Sequence, residues 1–262
     1  MMSPLARPFS ELVPAPFNEA TGNHPETHGT TVLALRYKDG ILIFSDRRAT
    51  MGNLIMFESA EKIEVLDDQT VVAISGAYAR SLEVCRFLRH AFKYYERLNL
   101  FEISTEGKLM EISRALAANL PMAMQGAVFV PVVAAYDPKA DAFGVYFFDT
   151  AGARFLGSDY ATAGSGSERI RGVFEYIART KGAWSSRSQD DVLADGLMLL
   201  ELAAEMDSAT GGFAKNPPSV AVLTRQGVHR LTDDQVRAAL PGPAPEPEAA
   251  AKPVAKSRKK AK

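Results

Sequence analysis

The chain is poor in the residues that metal, redox and membrane functions need. It has a single cysteine, Cys85, which excludes an internal disulfide and any zinc site built on several thiolates. Its four histidines, His24, His28, His90 and His229, show neither an HExxH pattern nor another ligating spacing, so no metal and no cofactor is expected. No GxSxG elbow occurs, which leaves a serine-histidine-aspartate triad of the α/β-hydrolase kind without local support. A Walker loop is missing too, since Gly107-Lys108 runs into Leu109 and lacks the upstream glycine. Long apolar runs are equally scarce: the longest, Gly126 to Tyr136, is too short to span a bilayer and carries Pro131. Residues 1 to 29 have neither the basic start nor the apolar stretch of a secretory signal. A cytoplasmic protein with no membrane partner is expected.

What is present is ordinary for a globular protein. Of 262 residues, 47% are hydrophobic and 23% charged, enough to build a sizeable core in one large domain or two modest ones. The formal charge of −1 is unevenly spread. From Pro241 to Lys262, six basic residues face Glu246 and Glu248, so this stretch is +4 and the rest of the chain −5. A near-neutral body gives no reason to expect a nucleic-acid partner. The same stretch alternates Pro, Ala and Glu before turning Lys-rich, and it cannot bury enough apolar surface to offset its ordering entropy. A disordered tail over 241–262 is expected.

Regular structure is expected to begin abruptly at Thr30, after a Pro-, Asn-, Thr- and His-rich leader. Thr31 to Tyr37 and Ile41 to Asp46 flank Lys38-Asp39-Gly40 and read as a hairpin. Lys62 to Leu66 and Thr70 to Ser75 form a second one around Asp67-Asp68-Gln69. Beyond Gly76, Leu82, Cys85, Leu88, Phe92 and Tyr95 recur at helical spacing, and Glu106 to Met124 predicts another helix, disturbed by Pro121. Strands follow at Ala127 to Tyr136, Ala142 to Asp149 and Arg154 to Ala163. Helices are expected at Ser167 to Lys181 and Gln189 to Met206, then strands at Ser219 to Thr224 and Val228 to Leu231. Strands and helices come in blocks, so the fold class is α+β rather than a βαβ alternation. Two sheets packed face to face, with helix pairs outside, satisfy that order.

The chemistry-bearing segments are individually weak. Gly164-Ser165-Gly166-Ser167 lies between a strand and a helix, but Arg169 stands where a phosphate loop of the GxGxxG kind needs its third glycine. Cys85 sits on an apolar helix face and reads as core. The remaining cluster is His28-Gly29-Thr30-Thr31 with Ser45-Asp46-Arg47-Arg48-Ala49-Thr50 and Glu61-Lys62. Taken singly, each fits a solvated strand end.

Taken together they resemble the proteasome β subunit family, its bacterial branch in particular. The matching segments are His28-Gly29-Thr30-Thr31, Asp46-Arg47-Arg48-Ala49-Thr50-Met51-Gly52-Asn53, Ala123-Met124-Gln125-Gly126, Gly164-Ser165-Gly166-Ser167 and Asp207-Ser208-Ala209-Thr210-Gly211-Gly212, in family order over about Gly29 to Val236. The related HslV peptidases typically have Gly-Asp-Gly where this chain has Ser45-Asp46-Arg47, and they lack an extended prosegment. The resemblance implies a four-layer αββα sandwich of the N-terminal nucleophile hydrolases, over residues 30–240.

It also implies a threonine endopeptidase that frees its own nucleophile. The bond between Gly29 and Thr30 would be cut autocatalytically, discarding residues 1–29 as a propeptide. Thr30 would then supply both the hydroxyl nucleophile and an α-amine base. By the same resemblance, Lys62 is the cation beside Thr30, Asp46 pairs with Lys62 and Arg48 supports that pair. The Gly76 N–H forms the oxyanion hole, while Ser165, Asp207 and Thr210 surround the amine. Thr50 would bind substrate main chain. Ala49, Ala60, Ile74 and Tyr78 would line a side-chain pocket; Tyr78 departs from the small residue usual there. Cleavage after apolar or aromatic residues is expected. The implied partners are a homo-heptameric β ring stacked with proteasome α-subunit rings, an AAA+ ATPase regulator, and unfolded or tagged protein substrates. Two other readings are a non-catalytic ring subunit and a stand-alone amidase of the same fold.

Overall fold

The computed structural model describes residues 29–52, 54–157 and 159–240. The expected propeptide, Gly29 excepted, and the expected disordered tail lie outside these residues, as does Asn53.

Alternating side chains build two sheets. In β1 (Thr31–Tyr37), Val32 and Ala34 face one core while Leu33, Leu35 and Tyr37 face another. In β2 (Gly40–Ser45), Ile41 and Ile43 join the first pair, Leu42 and Phe44 the second. This period of two is what a strand buried on both faces requires. With β10 (Tyr160–Gly164), β11 (Ser219–Thr224) and β12 (Gly227–Arg230), these strands form an antiparallel sheet in the order β10-β1-β2-β11-β12. A second antiparallel sheet runs β5-β6-β7-β8-β9, from β5 (Ile63–Asp67), β6 (Thr70–Ala73), β7 (Val132–Asp137), β8 (Ala142–Phe148) and β9 (Arg154–Leu156).

Three apolar cores hold four layers together. Residues such as Ile43, Val71, Ala134 and Ala221 fill the space between the sheets. Helices α1 (Tyr78–Asn99) and α2 (Thr105–Ala123) cover the second sheet through Val84, Cys85, Leu88, Ile112 and Leu116. Helices α3 (Ser167–Lys181) and α4 (Gln189–Met206) cover the first through Ile170, Phe174, Leu197 and Leu200. The fold is therefore the α+β four-layer αββα sandwich. A short α5 (Asp233–Ala239), closed by a Thr232–Gln235 capping box, adds Val236 to the outer core.

The structure corrects the element order in three places. Arg154 to Ala163 is two strands in different sheets, not one. Asp159 draws the chain across: its carbonyl accepts from Arg36 N and its carboxylate from Ser185 N and Oγ, all tied to the first sheet's side. A hairpin of β3 (Ala49–Met51) and β4 (Leu54–Phe57) was not expected, and α5 was missed. Pro121 lies in the last turn of α2, which runs on to Ala123. Among the described residues no helix is long and apolar enough to cross a membrane.

Phe44 shows how closely the outer core is fitted. It is fully buried, and a Cβ added to Gly196 of α4 would come within 2.3 Å of its ring, so that glycine makes room for the ring. Phe44→Ala should lower stability by about 3–5 kcal/mol, the range for emptying an aromatic site in a packed core. Urea unfolding monitored by circular dichroism measures it.

Candidate active site

The ends of several elements meet at one edge of the sandwich. Thr30, only 3% exposed, directly precedes β1. Pairing of Val32 with Ser45 places the next residue of β2's exit, Asp46, beside Thr31, and Asp46 N donates to Thr31 O at 3.2 Å. Pairing of Thr31 with Gly164 brings the start of the Gly-Ser-Gly-Ser segment to the other side. Gly164 has φ of +102°, and a Cβ there would stand 1.9 Å from Thr30 O, so only glycine allows this approach. Lys62 precedes β5, and Asp207 ends α4.

Asp46 organises the centre. Its side chain is buried and takes four donors: Lys62 Nζ at 2.7 Å and Thr31 N at 3.0 Å on Oδ1, Arg48 N and Gly211 N, each at 2.9 Å, on Oδ2. Lys62 also donates to Arg48 O at 2.5 Å. Two acceptors thus meet a lysine head that is 2% exposed. Burial pushes the Lys62 pKa below its ordinary value, while the Asp46 carboxylate opposes that shift. Arg48 ties the far loop to this pair, donating through Nη1 to Ser208 O at 2.8 Å and Thr210 O at 3.3 Å and pairing through Nη2 with Glu58.

A second set converges from the other side. Asp207 Oδ2 accepts from Ser165 Oγ at 2.5 Å and from Thr210 Oγ1 at 2.6 Å, and Thr210 Oγ1 also lies 2.6 Å from Thr31 Oγ1. Hydroxyls thus link Asp207 to the residue after Thr30. Gly166 leaves room for this link, since a Cβ there would come within 2.3 Å of Thr31 Oγ1.

Gly76 follows β6 with φ of +103° and pairs with Phe129 in an isolated antiparallel bridge. Both bonds of that bridge run through its neighbours, from Ala77 N to Val128 O at 2.7 Å and from Val130 N to Ser75 O at 3.0 Å. The bridge therefore leaves the Gly76 N–H unused. Thr50 lies close to residue 29: its Oγ1 accepts from Gly29 N at 3.1 Å.

The four pocket candidates differ in burial. Ile74 is buried in the core beneath α1 and α2, with Tyr78 packed against that cluster. Ala60 is buried and Ala49 half-buried. Tyr78 opens α1 and donates its hydroxyl to Glu61 O at 2.8 Å, which holds the ring in place. Sequence reasoning gave no role to the Thr31 hydroxyl, the Gly211 N–H or Glu58. Only Thr31 and Gly211 stand inside segments that had drawn attention.

A four-layer sandwich with a threonine at the mouth of its first strand, beside a buried lysine-carboxylate pair, defines the class of N-terminal nucleophile hydrolase folds. Comparison with known proteins narrows this. The family model described as Proteasome subunit matches residues 26–213. "Proteasome subunit beta" of Acidothermus cellulolyticus is 35% identical over 241 residues, covering 88% of this chain and 81% of the relative. "Proteasome subunit beta 2" of Thermomonospora curvata is 34% identical, covering 88% and 83%. "Proteasome subunit beta" of Streptosporangium roseum is 35% identical, covering 80% and 73%. The chain belongs to the proteasome subunit family.

Proposed function

We propose that this chain is a catalytic β subunit of a bacterial 20S proteasome core, acting as a threonine endopeptidase on unfolded proteins. The observation that carries the reading is the placement of Thr30, behind Gly29 and at the edge where Asp46 holds Lys62 and the Thr31 N–H on one oxygen.

The first reaction is on the chain itself. Thr30 Oγ attacks the Gly29 carbonyl carbon, and an ester to Oγ forms as the bond to the Thr30 nitrogen breaks. That nitrogen takes the proton Oγ gives up. Water then splits the ester, leaving a Gly29 carboxylate, a free Thr30 hydroxyl and a free α-amine. An unperturbed α-amine has a pKa of about 7.7–8.0, so near neutral pH it can take the Oγ proton in later turnovers. Lys62 adds positive charge that favours the neutral amine and stabilises developing alkoxide. The Gly76 N–H is available for the oxyanion of each tetrahedral intermediate. Asp207, Ser165 and Thr210 hold the loop around the amine. Each peptide is cut through an acyl enzyme on Thr30, which water hydrolyses.

Thr50 binds substrate main chain, and Ala49, Ala60, Ile74 and Tyr78 shape the pocket for the side chain before the cut bond. The subunit works inside a homo-heptameric ring stacked on α-subunit rings, fed by an AAA+ ATPase with unfolded or tagged chains in the cytoplasm. Confinement of the site in such a chamber keeps a reactive threonine away from folded proteins.

Coexpression with an α subunit tests the reading. The mature chain should begin at Thr30 by intact mass, and a threonine-directed covalent inhibitor should add its mass to that residue. A chain still beginning at Met1 and refusing the label overturns it.

A further inference from the structure

Residue 29 is held between a hydrogen bond and a wall. On one side its N–H is anchored on Thr50 Oγ1 at 3.1 Å. On the other, a Cβ added to Gly29 would lie 1.7 Å from Ala209 Cβ, 2.9 Å from Ala209 Cα and 3.2 Å from its carbonyl carbon. Carbon atoms in contact keep about 3.5–4.0 Å apart, so a side chain at 29 fits only if one segment moves. Neither segment is loose. Ala209 N donates to Asp207 Oδ1 at 3.2 Å, and the residues on either side of it, Ser208 and Thr210, give their carbonyls to Arg48 Nη1. Gly211 N is bound to Asp46 Oδ2 at 2.9 Å, and Asp46 Oδ1 holds Thr31 N two residues after Gly29. The wall and the bond to be cut are thus fastened to the same carboxylate.

We propose that Ala209 is the specificity-determining residue of self-cleavage, its methyl group restricting the position before the cut bond to glycine. This rests on the peptidase reading above and adds to it a reason external to the glycine. The demand at position 29 is imposed across the fold by the 207–211 loop, beyond whatever backbone freedom glycine brings to its own peptide. A methyl at 29 pushes the residue off the wall and carries its carbonyl carbon away from Thr30 Oγ. A misplacement of about 1 Å can cost about a hundredfold in rate.

The test is a cycle of four chains, each coexpressed with an α subunit and followed by intact mass during assembly: wild type, Gly29→Ala, Ala209→Gly and the double variant. Gly29→Ala should be cut about a hundredfold more slowly than wild type. The double variant should regain at least tenfold, short of full recovery because Ala209 Cα and its carbonyl carbon remain close to the new methyl. Residue 29 precedes the first strand, so Gly29→Ala leaves the sandwich intact, and thermal midpoints of the uncut chains are read alongside. An Ala209→Gly change that only loosened the loop would lower the midpoint without restoring cleavage. Cleavage of Gly29→Ala at the wild-type rate overturns the proposal, and so does a double variant no faster than Gly29→Ala. A wild-type chain that stays uncut overturns the peptidase reading itself, and the proposal with it.

Discussion

Thr30→Ala should keep residues 1 to 29 attached and abolish peptidase activity, with a loss of about ten-thousandfold or more, as when a nucleophile is deleted outright. In the proposed mechanism two separate reactions depend on one oxygen. Without Oγ the Gly29 carbonyl meets no nucleophile, so the α-amine that serves as base in turnover is never exposed. The defect cannot be repaired by supplying a base from outside, because both functions sit on the same residue. The fold should scarcely notice: the change removes a hydroxyl and a methyl at the end of a strand, about 1 kcal/mol. Intact mass reads the first outcome and hydrolysis of a fluorogenic peptide the second. Turnover that persists in the uncut variant rejects Thr30 as nucleophile.

The regular elements were legible where burial imposes a period. Helices at Ser167 to Lys181 and Gln189 to Met206, and the strand at Ser219 to Thr224, have the bounds that the pattern predicts. Each has apolar residues repeating at its own period against a core, and Ser188 caps the second helix by accepting from Asp191 N. The β3–β4 hairpin had no such signal. Leu54, Ile55, Met56 and Phe57 are consecutive apolar residues, each about half exposed, and no core selects alternate ones. The division of Arg154 to Ala163 was hidden because both halves read as strand; what separates them is a tertiary anchor at Asp159. The missed α5 did carry a signal, the Thr232 and Gln235 spacing of a capping box, but its seven residues are too few for a convincing period.

The candidate site was legible only as a set. Asp46, Lys62 and Arg48 each resemble a strand-end charge, and only their joint order with Gly29-Thr30-Thr31 and the 207–212 segment pointed to one place. Tertiary structure brings these segments together, with Asp46 bonded to residues from both sides of it. What stayed hidden are the backbone donors and close approaches. The Gly211 N–H on Asp46 and the contact between Gly29 and Ala209 depend on where main chains run, and a backbone group has no signature in residue type.

Lys62→Met should separate what the buried pair does for folding from what it does for chemistry. The substitution keeps the stem's volume but leaves Asp46, buried to the last side-chain atom group, without its cation. Breaking one partner of a buried ion pair costs about 3–5 kcal/mol because the surviving charge stays desolvated. Here the lower end is expected, since Thr31 N, Arg48 N and Gly211 N still donate to the carboxylate. Urea unfolding should be compared in a Thr30→Ala background, where every chain is uncut and only the pair differs. Activity, read with Thr30 present, should fall by about a hundredfold to a thousandfold, the range for removing one group that stabilises developing charge in the transition state. The two losses have different causes. Stability falls because of the carboxylate that is left behind, whereas in the proposed mechanism the rate falls because the positive charge that stabilises the developing alkoxide is gone. Retention of more than a tenth of wild-type turnover would remove Lys62 from the mechanism, even if the unfolding midpoint dropped as expected.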